Sequence, residues 1–144
     1  MDLSLEWLLE ESNPAIKYRT LTEIENVPWS PELEKLYASI WESKEIHKML
    51  KKQDASGLWS EKDYGSFTSL RYLTAFSEFG LHKDKRIDDY VEWTICSLIR
   101  QMKEDATGCH FPLLLRALVM LGYYDQKEIR DLIQLYTSTQ LSDG

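Results

Sequence analysis

The sequence has few cysteines and no long apolar run. Only Cys96 and Cys109 carry thiols, which excludes a disulfide framework and makes the reducing cytoplasm the compartment that we expect. The most apolar stretch, residues 111–124, is interrupted by Arg116 and is shorter than the roughly 20 residues that a membrane-spanning helix needs. Because no basic segment precedes an apolar one at the N-terminus, we predict no signal peptide.

Positive charge is also scarce. The chain has 17 basic and 24 acidic residues, a formal net charge of −7 and a pI of about 5.0. Its largest basic cluster, made of Lys48, Lys51 and Lys52, is too small for the basic stripe that binds a phosphate backbone. We therefore expect neither nucleic acid nor an anionic membrane surface as a partner, and no membrane span.

Familiar catalytic motifs are missing as well. The sequence contains no Gly-rich phosphate loop, no Gly-x-Ser-x-Gly and no His-Glu-x-x-His. We assign no catalytic residue. The sequence favours a chain without catalysis of its own and leaves an enzymatic activity as the alternative.

Helical periodicity is what the sequence does contain. Apolar residues recur at intervals of three and four, and no segment shows the sustained alternation of a half-buried strand. Asn13 and Ser30 each precede a proline, which indicates a helix start, whereas Gly80 and Gly122 follow apolar runs and indicate helix ends. The pattern predicts one all-α domain over residues 1–144, with helices at 3–12, 14–25, 31–42, 43–53, 66–79, 85–103, 112–121 and 126–139.

Part of the chain repeats at an offset of 42 residues. At this offset Gly80 aligns with Gly122, and Ile87 aligns with Ile129. Each unit has an apolar helix, a glycine, a short polar turn and an amphipathic helix, so we predict two layers of unlike helices. The segment 112–121 is apolar nearly all round and is expected to be buried on most sides. Arg116 within it would then need a carboxylate or carbonyl partner, and we interpret it as structural.

Three segments resemble repeats of the α/α-toroid superfamily, which includes squalene cyclases and the β-subunits of protein prenyltransferases. They are Gln-x-x-x-Gly-Leu-Trp at 53–59, Leu-Arg-Ala-Leu-Val-Met-Leu-Gly-Tyr at 115–123 and Gln-Leu-Ser-Asp-Gly at 140–144. Residues 7–19 resemble the start of bacterial prenyltransferase or squalene-oxidase repeat proteins. The resemblance implies a toroid-like arc of about four helix pairs, with apolar inner and amphipathic outer helices. It also implies that the ring is incomplete and that the chain is truncated at its C-terminus, where a family repeat would continue.

The resemblance also implies roles for particular residues. Gln53 and Gly57 would belong to a structural turn that joins an outer helix to the next inner helix. Aromatic residues line the central cavity in toroid enzymes, where their π faces stabilise cations. The corresponding candidates for lining a ligand site are Trp59, Tyr64, Tyr72, Phe76 and Phe79. The alternative is that they are core residues, as aromatic residues at helical spacing usually are.

Two short motifs invite a metal-binding hypothesis. Asp105, Cys109 and His110 resemble the Asp, Cys and His zinc ligands of protein prenyltransferases, but adjacent residues rarely both reach one ion. The string from Asp88 to Glu92 matches the Asp-Asp-x-x-Asp/Glu pattern of ionising terpene synthases. Acidic residues are also favoured at a helix start by the helix dipole. We predict no cofactor and retain zinc as the alternative.

These observations favour a helical-repeat module that binds an apolar ligand or a protein partner. One alternative is a fragment of an isoprenoid-handling enzyme, either prenyltransferase-like or cyclase-like. The other is a HEAT-like interaction scaffold, because residues 13–21 resemble a helix start of such repeats. An open end of the repeat array would expose apolar helix faces, so a homo-oligomer formed through that end is also expected.

Overall fold

The computed structural model describes residues 3–10, 13–59, 68–104 and 110–138, and within these ranges the chain is all-α. The described residues contain no strand, only one isolated antiparallel bridge between Gln53 and Trp59. The predicted all-α class is confirmed. The helices are α1 (Leu3–Glu10), α2 (Pro14–Arg19), α3 (Pro31–Trp41), α4 (Lys44–Leu50), α5 (Thr68–Glu78), α6 (Asp88–Glu104), α7 (His110–Met120) and α8 (Lys127–Ser138).

Local side-chain chemistry starts the helices where the sequence predicts. Asn13 Oδ1 accepts a hydrogen bond from the Ala15 N–H at 2.9 Å, and Ser30 Oγ accepts one from the Leu33 N–H at 3.3 Å. A proline follows each cap, at a position where its missing N–H is not needed. Both predicted helix starts are confirmed.

The helix predicted over residues 14–25 has two parts. Its first part is α2, and a π-helical turn, Thr20–Ile24, continues it. In this turn the Glu25 N–H donates to the Thr20 carbonyl at 3.0 Å. A π-turn widens the helix locally and is frequent at functional sites.

Both repeat glycines end their helices in the left-handed conformation, with φ of +74° at Gly80 and +89° at Gly122. In each turn, the N–H after the glycine donates to the carbonyl five residues earlier, at 3.1 Å in the first copy and 3.0 Å in the second. This is the Schellman geometry, which favours glycine because the left-handed region crowds a Cβ. Ile87 and Ile129, which follow at the same spacing, are both buried.

The helix contacts connect successive units. The most extensive pairing joins α5 to α7, while α8 contacts both α6 and α7. At the other end, α2 packs against α1 and α3. Tyr72, Leu73 and Phe76 of α5, and Leu114 and Leu118 of α7, belong to the buried core shared by these helices. No helix in the described ranges is long and apolar enough to cross a bilayer.

Residues 112–121 are buried on most sides, as predicted, but one face of α7 is open to solvent. Leu113 keeps 53% of its surface exposed, and Arg116 and Val119 are exposed too. These residues recur every three positions, so they share the side of α7 opposite the core. An apolar sequence does not by itself bury every face, because burial also needs a neighbouring element on each side.

Candidate functional site

Three of the aromatic candidates for a ligand site belong to one packed cluster. The ring of Trp59 stacks on Tyr72 with centroids 4.9 Å apart and meets Tyr90 edge-on at 4.5 Å. Phe76 lies 5.7 Å from the Trp59 ring, and all four residues are buried. Such aromatic contacts stabilise a core beyond the area that they bury. Tyr64, another candidate, lies outside the described residues.

The turn that contains Gln53 and Gly57 holds three helices together. The Gln53 side-chain amide donates to the carbonyls of Gly57 and Arg86, each at 2.9 Å. The Trp59 indole N–H donates to the Met49 carbonyl of α4 at 2.8 Å. Because Trp59 also stacks on Tyr72 of α5, the turn links α4, α5 and the segment that leads into α6.

Phe79, the remaining aromatic candidate, is only partly buried and borders two grooves. The first, which we call the N-terminal groove, has a volume of about 430 Å³. Its apolar lining is Leu8, Ala15, Ile16, Ile24 and Phe79, and its polar lining is Asn13, Arg19, Thr20, Glu23 and Glu78.

The second, which we call the α4–α5 groove, has a volume of about 450 Å³. It is lined by Glu45, Lys48, Met49, Lys52, Arg71, Tyr72, Ala75 and Phe79. Both volumes lie in the range that is usual for small-molecule sites. Of the five aromatic candidates, the structure therefore places Tyr72 and Phe79 on the wall of a groove.

A network of charged side chains closes one side of the N-terminal groove. The Arg19 guanidinium donates to both carboxylate oxygens of Glu23, at 2.7 and 2.8 Å, and to the Glu78 backbone carbonyl at 2.8 Å. Arg116 donates to Glu78 Oε1 at 2.7 Å. Hydrogen bonding to Arg19 lowers the pKa of Glu23, and hydrogen bonding to Arg116 lowers the pKa of Glu78.

This network also shows which residue pairs with Arg116 and how exposed the pair is. The residue has a carboxylate partner, Glu78, but the pair is half exposed, with 52% of the Arg116 side chain open to solvent. The expectation of a buried guanidinium is therefore wrong, because Arg116 lies on the open face of α7.

The acidic string at the start of α6 has a structural partner. The Tyr123 hydroxyl donates to Asp88 Oδ1 at 2.6 Å. Burial raises the pKa of Tyr123, and the hydrogen bond to Asp88 raises it further. Asp88 therefore anchors the second repeat turn on the first turn of α6.

The described residues contain no group of three or more His, Cys, Asp and Glu side chains that could hold a metal ion. The zinc candidates Asp105 and Cys109 lie outside the described residues, and of His110 only the backbone, at the start of α7, is described. The zinc hypothesis stays a prediction.

The sequence analysis did not identify the apolar residues that line the N-terminal groove or the basic residues that line the α4–α5 groove. Ile16, Thr20 and Ile24 recur every four residues, and this spacing indicates one helix face that could have been noticed. Lys48 and Arg71 belong to helices separated by residues 51–67, so no local pattern shows that they border one groove.

Comparisons with known proteins give no match: no family model, no curated protein and no solved structure is significantly similar to this chain. The resemblance to toroid repeats therefore remains a prediction that rests on the sequence segments alone.

Proposed function

We propose that this chain is a helical-repeat binding module without catalysis of its own. Its N-terminal groove binds the apolar face of a basic amphipathic helix from another protein. The observation that carries the proposal is an apolar groove whose lining residues remain open to solvent. Ile16 and Ile24 line the groove and still expose 38% and 53% of their surface.

Further exposed apolar residues are close in sequence to the residues that line the groove. Trp7 precedes the lining residue Leu8 on α1, and Val27 and Trp29 follow the π-turn. All three of these neighbours are exposed. A concentration of exposed apolar residues in one part of the chain is typical of a docking site for a macromolecule, because water solvates such residues poorly. An amphipathic helix would present its own apolar side chains at three- and four-residue spacing to Ile16, Ile24 and Phe79.

Charge favours a basic partner. Residues 1–30 contain six acidic and only two basic side chains. Arg19, one of the two, is held by the carboxylates of Glu23 and Glu78. Lysine or arginine residues that flank the apolar face of the partner helix would be attracted by the net negative charge of residues 1–30.

Two observations support the wider proposal that the module is an arc of toroid type. In successive helix pairs of a toroid, inner helices contact inner helices and outer helices contact outer helices. The contacts of α5 with α7 and of α6 with α8 fit this arrangement. The hydrogen bonds of Gln53 and Trp59 match the structural turn that the resemblance implies. A HEAT-like scaffold predicts no such turn.

The direct test is binding of a fluorescein-labelled peptide of about 18 residues, roughly five helical turns. It carries leucines at helical spacing and lysines elsewhere. We expect saturable binding by fluorescence anisotropy that weakens at high salt, because salt screens the charge pairs. Ile24→Lys should weaken binding by at least about tenfold, since it puts a charge into the apolar contact.

The control variant is Leu135→Lys, which introduces the same charge at an exposed leucine of α8. It should bind the peptide as the unmodified chain does, and circular dichroism should show both variants folded. A scrambled peptide of the same composition that binds equally well would refute the proposal. So would a loss of affinity in Leu135→Lys equal to that in Ile24→Lys.

A further inference from the structure

We infer that the α4–α5 groove is a separate site for a single-chain amphiphile with one carboxylate head group, the chemistry of a long-chain fatty acid. This inference is independent of the peptide-binding proposal because it concerns different residues. Among the residues that the structure describes, only Phe79 borders both grooves.

The floor of the groove suits a slender apolar chain. Tyr72 and Ala75 of α5 form it together with Met49 of α4, and Tyr72 exposes only 2% of its surface. The flexible thioether of methionine adapts to ligands of irregular shape. In a volume of about 450 Å³, these side chains leave room for an alkyl chain.

The surroundings of the groove distinguish it from a protein-docking surface. Among the described residues, the large exposed apolar side chains lie on other elements, and neither α4 nor α5 carries one. A partner helix would therefore find little apolar area outside the groove. A small ligand needs only the apolar surface within it.

The rim of the groove is basic in a chain whose net charge is −7. Lys48 and Lys52 lie one helical turn apart on the α4 side, and Arg71 lies on the α5 side. Lysine stems can cover the apolar chain while their ammonium groups reach its head, and Arg71 adds a further positive charge to the rim. With Glu45, the groove has three basic side chains and one acidic side chain, which favours an anionic head group over a neutral one. A carboxylate fits better than a phosphate dianion because removing a single charge from water costs less than removing two.

The test is isothermal titration calorimetry with sodium laurate below its micelle concentration, using the full chain. We expect one laurate per chain, and much weaker binding of dodecanol, which has the same tail and no charge. Lys48→Gln should weaken laurate binding by about tenfold, because one charge-assisted hydrogen bond is lost. Ala75→Trp should abolish binding by filling the floor while leaving the basic rim intact.

Two matched variants complete the experiment. Lys51→Gln removes a neighbouring exposed lysine that does not line the groove, and Ile24→Lys alters only the N-terminal groove. Both should bind laurate as the unmodified chain does. Equal binding of dodecanol and laurate, tighter binding of dodecyl phosphate, or an equal loss in Lys51→Gln would overturn the inference. Its failure would leave the peptide assay unaffected, so the two proposals are tested separately.

Discussion

The turn that follows α5 and the turn that follows α7 share a backbone but differ in what covers them. Both contain a left-handed glycine and the same pair of hydrogen-bonded positions. At Gly80 an added Cβ would lie 3.0 Å from Arg19 Cγ, whereas at Gly122 it would meet nothing within 4 Å. The repeat therefore determines the conformation of the turn, while the neighbouring helix determines how tightly it is packed.

The residues after the two glycines differ in a second way. Leu81 in the first copy is a buried aliphatic residue, whereas Tyr123 in the second copy adds a hydroxyl that donates to Asp88 at 2.6 Å. The Lys83 N–H of the first turn also donates to the Leu121 carbonyl at 2.7 Å. The two copies are thus hydrogen-bonded to each other, and each copy contributes a different part of the contact.

The largest expected loss of stability comes from truncating the buried isoleucine that both repeat copies contain. Ile87→Ala and Ile129→Ala should each lower the free energy of unfolding by about 2–4 kcal/mol, since both side chains are buried and truncation leaves a cavity. Urea denaturation measures the loss. Ile133→Ala is the control, because Ile133 is 36% exposed and should cost less than about 1 kcal/mol. If the two substitutions lower the free energy of unfolding by very different amounts, Ile87 and Ile129 do not have equivalent places in the core.

The next prediction tests the difference in packing around the glycines. Gly122→Ala should cost about 1 kcal/mol because alanine is strained at positive φ. Gly80→Ala should cost about 2 kcal/mol because the new methyl group must also displace Arg19. Thermal or urea unfolding measures both values. In an Arg19→Ala background the difference should disappear, and its persistence would contradict the steric explanation.

The hydrogen bond of the second turn should have a smaller effect. Tyr123→Phe removes the hydroxyl that donates to Asp88 and should lower the free energy of unfolding by about 1 kcal/mol. Tyr124→Phe makes the same chemical change at the exposed neighbouring residue and should leave stability unchanged. Equal stability of the two variants by urea denaturation would mean that the hydrogen bond does not stabilise the junction.

The smallest expected effect is the pH dependence of the ion pairs that flank the first turn. Arginine partners lower the pKa of Glu23 and Glu78, so their stabilisation is present above the ordinary glutamate pKa of about 4.3. It is lost as the pH falls through the lower pKa values of the folded chain. Because both carboxylates are about half exposed, the contribution should stay below about 1 kcal/mol.

Unfolding curves between neutral pH and pH 3 measure this dependence. Glu78→Gln should flatten the acid limb of the stability profile, whereas Glu92→Gln, at an exposed position of α6, should leave it unchanged. An identical profile in all three proteins would exclude a role for the pairs.

Helix starts and ends were predictable because their causes are local. Asn13 and Ser30 cap helices through backbone groups two or three residues away, and Gly80 and Gly122 adopt the conformation that their missing Cβ permits. The π-turn within residues 20–24 was not predicted, because neither proline nor glycine marks it.

The candidate site was predictable only in part. The spacing of aromatic residues on α5 indicates one helix face, but it does not tell which of them border a groove. Phe76 lies in the core with Trp59, whereas Phe79 at the end of the same helix divides two grooves. That outcome depends on residues of α1, α2 and α4 that line the grooves beside Phe79, and no local pattern records this proximity.

By itself the sequence determined the all-α class, most helix limits and the two glycine turns, because these follow from periodicity and from interactions within a few residues. The tertiary structure decided which apolar faces stay open, where Arg116 finds its partner and how two grooves with different charged linings form beside Phe79. The physical reason is that burial and electrostatic environment are properties of pairs of surfaces. A single helix sequence specifies only one surface of each pair.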